Sequence, residues 1–162
     1  MSVFRSELAR RVWHTIYILD RRLALDVGRP FLIHDHNVDT DLPHDVCNGW
    51  LEEHKTSEET MGTMREKLNE AQSVEITPIS YMRVMVGYSH LVGKVWDAVY
   101  DAQASSKLGN KFQLTELDTR LLVWASTLPP GLTCDADRLC EVKQGDQPWQ
   151  SRQRILILTV RF

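Results

Sequence analysis

Residues 10–30, Arg-Arg-Val-Trp-His-Thr-Ile-Tyr-Ile-Leu-Asp-Arg-Arg-Leu-Ala-Leu-Asp-Val-Gly-Arg-Pro, decide the fold. Here and just upstream, apolar residues fall at Leu8, Val12, Trp13, Ile16, Leu19, Leu23 and Val27, steps of three and four that mark one face of an α-helix over Ser6–Val27. Ser6 suits the N-cap, because its hydroxyl can accept a free first-turn N–H. Gly28 ends the helix where a left-handed residue is cheap, and Pro30 keeps it from resuming. Phe31 to Pro43 then reads as an extended, irregular arm.

Working outward, residues 34–59 hold eight acidic side chains against one lysine, so residues 34–76 read as a long acidic loop with a possible insertion. A weakly packed helix is expected over Ser57–Ala71, with Met61, Met64 and Leu68 on one face. Thr77-Pro78 opens the next element: threonine caps, and proline fits the first turn, where no N–H is needed. A broad apolar stripe from Ile79 through Met85, Val86, Val92 and Trp96 to about Ala104 predicts a central helix. Gly87 and Gly93 within it point to close packing by another element. After a linker at Ser105–Lys111, Thr115 is expected to cap a helix carrying Leu117, Leu121, Trp124 and Leu128, with Asp118 at the capping-box position. Pro129-Pro130-Gly131 ends that helix. Period alone does not assign the apolar run Ile155–Val160 to strand or helix. The fold class is all-α, a multi-helix domain with a long acidic loop after its first helix.

Composition narrows the function. The chain has 162 residues and a net charge of −3, so it lacks the overall basic footprint of a free-standing nucleic-acid binder. Its three cysteines, Cys47, Cys134 and Cys140, are too few and too scattered for a disulfide scaffold. No apolar run reaches the ~20 residues of a membrane span, so no membrane partner is expected. Arg5, Arg10, Arg11, Arg21, Arg22 and Arg29 lie at scattered helical angles among Glu7, Asp20 and Asp26. They read as a solvated face with local ion pairs rather than a phosphate track.

The densest polar cluster is His34-Asp-His-Asn-Val-Asp39-Thr-Asp41-Leu-Pro-His44-Asp45. A calcium loop starting at Asp35 fails, because Thr40 stands where glycine is needed and Val46 where a bidentate glutamate is needed. The pairs His34-Asp35 and His44-Asp45 resemble the motif of HD-type metal phosphohydrolases, but both sit in a proline-bounded arm rather than in a helix. Cys47 near His44 and His54 lacks an activating motif. No phosphate loop and no Gly-x-Ser-x-Gly elbow occurs. The residues therefore point to no catalytic site, and the cluster reads as a solvated acidic loop.

The stretch through Trp13, Tyr17, Asp20-Arg21 and Gly28-Arg29-Pro30, followed by an acidic arm with Asp39 and ending in Leu42-Pro43, resembles the signature of the fungal-specific transcription factor domain. That domain is the middle homology region downstream of the binuclear zinc cluster in fungal regulators. Ile79–Tyr100 resembles its long central helix, and Trp124 with Leu128-Pro129 resembles its Leu-x-x-Trp…Leu-Pro element. The resemblance implies an all-helical, non-catalytic regulatory domain acting in the nucleus. It also implies a partial domain, since the family pattern extends beyond both ends. Zinc is expected only in an N-terminal cluster absent from this chain, and DNA contact only through that cluster. Protein partners or self-association are implied, with a small-molecule effector compatible. The alternatives are an HD-like metal-dependent phosphohydrolase, or a helical protein-binding module or remnant without a regulatory role. Arg29 is expected to fold back onto Asp20 and pin the chain reversal.

Overall fold

A computed structural model describes residues 2–55, 63, 66, 67, 70, 76–100, 110–129 and 132 of the chain. These form α1 (Val3–Val27), a single 3-10 turn at Asp35–Asn37, α2 (Asn48–Glu53), α3 (Pro78–Tyr100) and α4 (Asn110–Ser126). No strand occurs among the described residues. The expected all-α class holds. Most of the helix expected over Ser57–Ala71, and the run Ile155–Val160, lie outside the described residues.

Helix α1 begins a turn earlier than expected. Ser2, not Ser6, is its N-cap, and the Ser2 side chain accepts the Arg5 N–H at 3.4 Å. Its C-terminus closes as anticipated: Gly28 takes φ 66° and ψ 38°. The Gly28 N–H reaches Leu25 O at 3.3 Å and the Arg29 N–H reaches Ala24 O at 2.9 Å. This is the paired closure of a left-handed helix end, which satisfies two otherwise orphaned carbonyls. Replacing Gly28 by valine puts a β-branched residue at positive φ, so we expect a loss on the order of 1–3 kcal/mol. Nothing lies within 4 Å of the added Cβ, so the loss is purely conformational. A urea midpoint unchanged from the parent would refute it.

The larger difference is which face of α1 is buried. Its inward residues are Glu7, Arg11, His14, Tyr17, Arg21 and Ala24. Leu8, Val12, Ile16, Leu19, Leu23 and Val27, the stripe that marks the helix in sequence, all point outward. The helix is right, and the expected local ion pairs form at Arg10, Arg11 and Arg21. Arg5, Arg22 and Arg29 are exposed as a solvated face requires, but Arg11 and Arg21 are core residues.

Helix α3 is central and packs against both α1 and α4. Thr77 Oγ1 accepts the N–H groups of Ile79 and Ser80 at 3.0 and 3.2 Å, and Ser80 Oγ accepts the Thr77 N–H at 2.9 Å. This reciprocal cap, with Pro78 opening the helix, matches the sequence reading. A Cβ on Gly87 would touch the Trp124 ring of α4 at 3.5 Å, and one on Gly93 would sit 3.1 Å from Asp35 Oδ2. Both glycines thus mark close approach. Helix α4 starts at Asn110, inside the expected linker, so Thr115 and Asp118 are interior residues and neither caps it.

The core has three parts. Met85, Leu128 and Leu132 pack with Ile18, Tyr81, Val84, Tyr88 and Trp124. Ala24, Phe31 and Val92 pack with Tyr88 and Trp96, tying the start of the arm to α3. Val46 and Leu51 pack with Val3, Phe4 and Trp50 at the arm's far end.

Candidate functional site

Three of the signature residues, Tyr17 and Arg21 on the polar inner face of α1 and Asp20 beside them, hold the arm of residues 31–47 against the helices. At one end sits Arg21, 2% exposed. Its NH1 donates to Ile33 O at 2.5 Å and to Asp20 Oδ2 at 3.0 Å, and its NH2 donates to Asp35 Oδ1 at 2.5 Å. The guanidinium lies 4.5 Å from the Tyr17 ring centre and 4.2 Å from that of Phe31. A planar, always charged fork can satisfy this many oxygens while stacking on two rings.

Tyr17 is fully buried, and its hydroxyl donates to Asp35 Oδ1 at 2.6 Å. His90 Nδ1 of α3 lies 3.0 Å from the same hydroxyl and 3.5 Å from Asp35 Oδ2. Burial, followed by the bond to Asp35, pushes the Tyr17 phenol far above its ordinary range, so it remains a donor. Burial alone would raise Asp35. The Tyr17 hydrogen bond and the Arg21 and His90 charges outweigh it and hold the carboxyl below its ordinary value.

The sign of the pH effect follows. A carboxyl whose pKa is depressed on folding contributes stability above its unfolded pKa and loses it as pH falls through the folded value. We therefore expect stability to drop below about pH 4, the ordinary aspartate range, and Asp35→Asn to flatten that drop. Urea midpoints from pH 5 to pH 3 test this, and parallel slopes for parent and variant would remove Asp35 from the account.

Asp20 has a different partner from the one expected. Its carboxylate accepts the N–H groups of Leu32 and Ile33, both at 3.1 Å, while Arg29 is exposed. Arg21 already supplies the charge at Asp20, and Gly28 turns the chain so that backbone donors, not the Arg29 side chain, arrive at it. The reversal is pinned, but by the main chain of the arm.

A second anchor lies towards the N-terminus of α1. Buried Glu7 accepts the His44 N–H at 2.9 Å and Arg11 Nε at 3.3 Å, with His44 Nδ1 at 3.0 Å from its other oxygen. Arg11 also donates to Asn48 Oδ1 at 2.7 Å and to Val46 O at 2.9 Å. Arg10 reaches Asp41 at 3.4 Å on the outside. At a third point, Asp45 accepts the hydroxyls of Thr77 and Ser80, the latter at 2.6 Å, and Arg83 of α3 donates to Pro43 O at 2.5 Å.

These contacts revise the acidic loop. Asp35 and Asp45 are spent on structural hydrogen bonds, while Asp39 and Asp41 face outward. The two His-Asp pairs are pulled apart in the same way, His44 going to Glu7 and Asp45 to Thr77 and Ser80. Among the described residues, no group of three or more His, Cys, Asp or Glu side chains is placed to hold a metal ion.

The remaining signature residues fall as follows. Pro43 is fully buried and Leu42 is exposed. Gly28, Arg29 and Pro30 are all exposed. Trp124 donates Nε1 to Val84 O at 3.2 Å and lies tilted on Tyr88. Pro129 O accepts the Leu132 N–H at 2.8 Å, turning the chain after α4. Half-buried Trp13 borders an open cleft of about 510 Å³ lined by Ser6, Ala9, Arg10 and Asp39–Asp41. The sequence reading named Glu7, Arg11, Asp35, His44 and Asp45 as solvated or candidate metal-binding groups and missed that they anchor the arm. Only the Glu7–Arg11 spacing of four carried a local signal for any of them.

The fungal specific transcription factor domain family model matches residues 1–126. Over 103 residues, 64% of this chain, the sequence is 27% identical to the Fusarisetin A cluster transcription factor fsa6 of Fusarium sp. (strain FN080326). It is likewise 27% identical over 103 residues to the Equisetin cluster transcription factor eqxF of Fusarium heterosporum. The matched stretch spans 12% of the first protein and 14% of the second. No solved structure matches.

Proposed function

This chain belongs to the fungal specific transcription factor domain family, and from that premise we propose that it is a non-catalytic regulatory domain of a transcription factor that controls a biosynthetic gene cluster. The family match over residues 1–126 carries this reading. The names of the two cluster regulators supply its class of target. The site geometry is in keeping with it. Tyr17, Asp20 and Arg21 hold one segment of the fold against another, and their polar groups are taken up in those bonds.

In this reading the domain works in the nucleus through protein contacts. It needs no cofactor of its own, and DNA contact belongs to a zinc cluster outside these residues. The HD-like hydrolase is not favoured, because three of its four would-be ligands, Asp35, His44 and Asp45, are committed to separate structural bonds.

Deleting the codons for residues 1–126 in the source organism tests the proposal by transcript profiling. We expect coordinated changes across a contiguous set of genes, and an unaltered transcriptome would overturn it. The purified chain should leave duplex DNA unshifted at physiological salt, since a net charge of −3 offers few counterion-releasing contacts. A micromolar, steeply salt-dependent complex would overturn the assignment of DNA contact elsewhere.

A further inference from the structure

We propose that the outer face of α1 is a homodimer interface, in which two copies pack their first helices antiparallel about a two-fold axis near Thr15 and Ile16. The proposal stands on the burial pattern of α1 and not on the regulatory reading.

Leu8, Val12, Ile16, Leu19, Leu23 and Val27 are 48–62% exposed, and they recur at steps of four, four, three, four and four. At 1.5 Å per residue the stripe runs about 28 Å along the helix. The opposite face is already filled by Glu7, Arg11, Tyr17 and Arg21, so among the described residues α1 packs through that face and not through the stripe. A contiguous apolar stripe of this length belongs with the patches that mark protein interfaces.

The charges at its ends select a second copy as the occupant. Arg5 and Asp26 are both exposed and lie at opposite ends of the same face. In an antiparallel pair with Leu8 opposite Leu23 of the partner subunit, Val12 falls opposite Leu19 of the partner subunit. Arg5 then falls opposite Asp26 of the partner subunit. The two-fold repeats every one of these contacts. The parallel alternative sets Arg5 on Arg5 and Asp26 on Asp26, which is repulsive at both points. An open groove of about 390 Å³, lined by Arg5, Leu8, Ala9, Val12, Trp13 and Ile16, receives the partner's leucines as knobs.

Sedimentation equilibrium of the full 162-residue chain tests the register. The parent is expected to dimerise reversibly. Arg5→Asp and Asp26→Arg, each reversing two contacts per dimer, should each weaken dimerisation about tenfold or more. The double variant R5D/D26R should return to within about threefold of the parent. Ile16→Cys, near the axis, should form a disulfide dimer on mild oxidation beyond any formed by the unsubstituted chain. Leu8→Cys, about 22 Å from its mate, should not. A chain that stays monomeric up to the highest concentration the protein reaches overturns the proposal, whether the face is then covered within the chain or by another segment of a longer protein. A dimer indifferent to the charge swap overturns it too. Neither result would touch the transcript-profiling test of the regulatory role.

Discussion

Replacing Arg21 by methionine is expected to abolish cooperative folding or to lower stability by about 3–5 kcal/mol, the usual cost of breaking a buried ion pair from one side. The side chain is 2% exposed and bridges Asp20, Asp35 and Ile33 O. Without it the Asp35 carboxylate keeps only Tyr17 and His90 as partners, and the Ile33 carbonyl loses its donor. Against a typical domain stability of about 5–15 kcal/mol, that loss is decisive. Arg21→Lys should recover little, since one ammonium cannot fork between Ile33 O and two carboxylates while lying flat on Tyr17 and Phe31. Urea midpoints with near-ultraviolet circular dichroism provide the measurement. A methionine variant within about 0.5 kcal/mol of the parent, the range of ordinary surface changes, would mean that the network contributes nothing.

That Arg21 sits in the core explains how much of the fold was legible in sequence. Helix existence was readable at α1 and α3 because the apolar period of a helix survives whichever face is buried. The direction of α1 was not. Hydropathy assigns burial by residue type, yet here Glu7, Arg11 and Arg21 are buried because each charge meets another charge or an arm backbone group. Apart from Glu7 and Arg11, four residues apart, the arm partners lie 12 to 37 residues away, so most of the compensation is invisible in a local window. The same reason explains Asp20. The family resemblance singled it out together with Arg29, and chemistry suggested that they pair. Only the path of the chain after Gly28 shows that Leu32 and Ile33 offer their N–H groups first. Caps were read well where the signal was dense, at Thr77-Pro78 and Gly28. They were misplaced at Ser6 and Thr115, where Ser2 and residues from Asn110 onward continue the helical pattern by an extra turn.

Glu7 gives the second large effect, and it separates the anchoring of the arm from the stability of the helices. Its carboxylate is wholly buried and joins Arg11, His44 N and His44 Nδ1. Glu7→Ala leaves Arg11 buried without its carboxylate and strips two arm donors of their acceptor, so we expect a cost of about 3–5 kcal/mol. Arg11→Met should be comparable, because it strands Glu7 and also releases Val46 O and Asn48. The combined Glu7→Leu/Arg11→Met variant should be less destabilised than the sum of the two single changes, since an apolar pair of similar volume removes both charges together. A coupling energy of about 0.5–3 kcal/mol in the double-mutant cycle is the expected range for contacting groups. The local readout is proteolysis. The single variants should expose the backbone near Asp39–Asp41 to cleavage at denaturant concentrations where the α3–α4 pair is still folded. The remaining holds, the Arg21 network at one end and Arg83 and Asp45 at the other, leave Asp39–Asp41 between them tied only through Arg10–Asp41. Strict additivity of the two changes, with cleavage rates equal to the parent's, would show that the arm is fixed by Val46 and Leu51 packing on Val3 and Phe4 instead, with the Glu7 pair contributing no hold of its own.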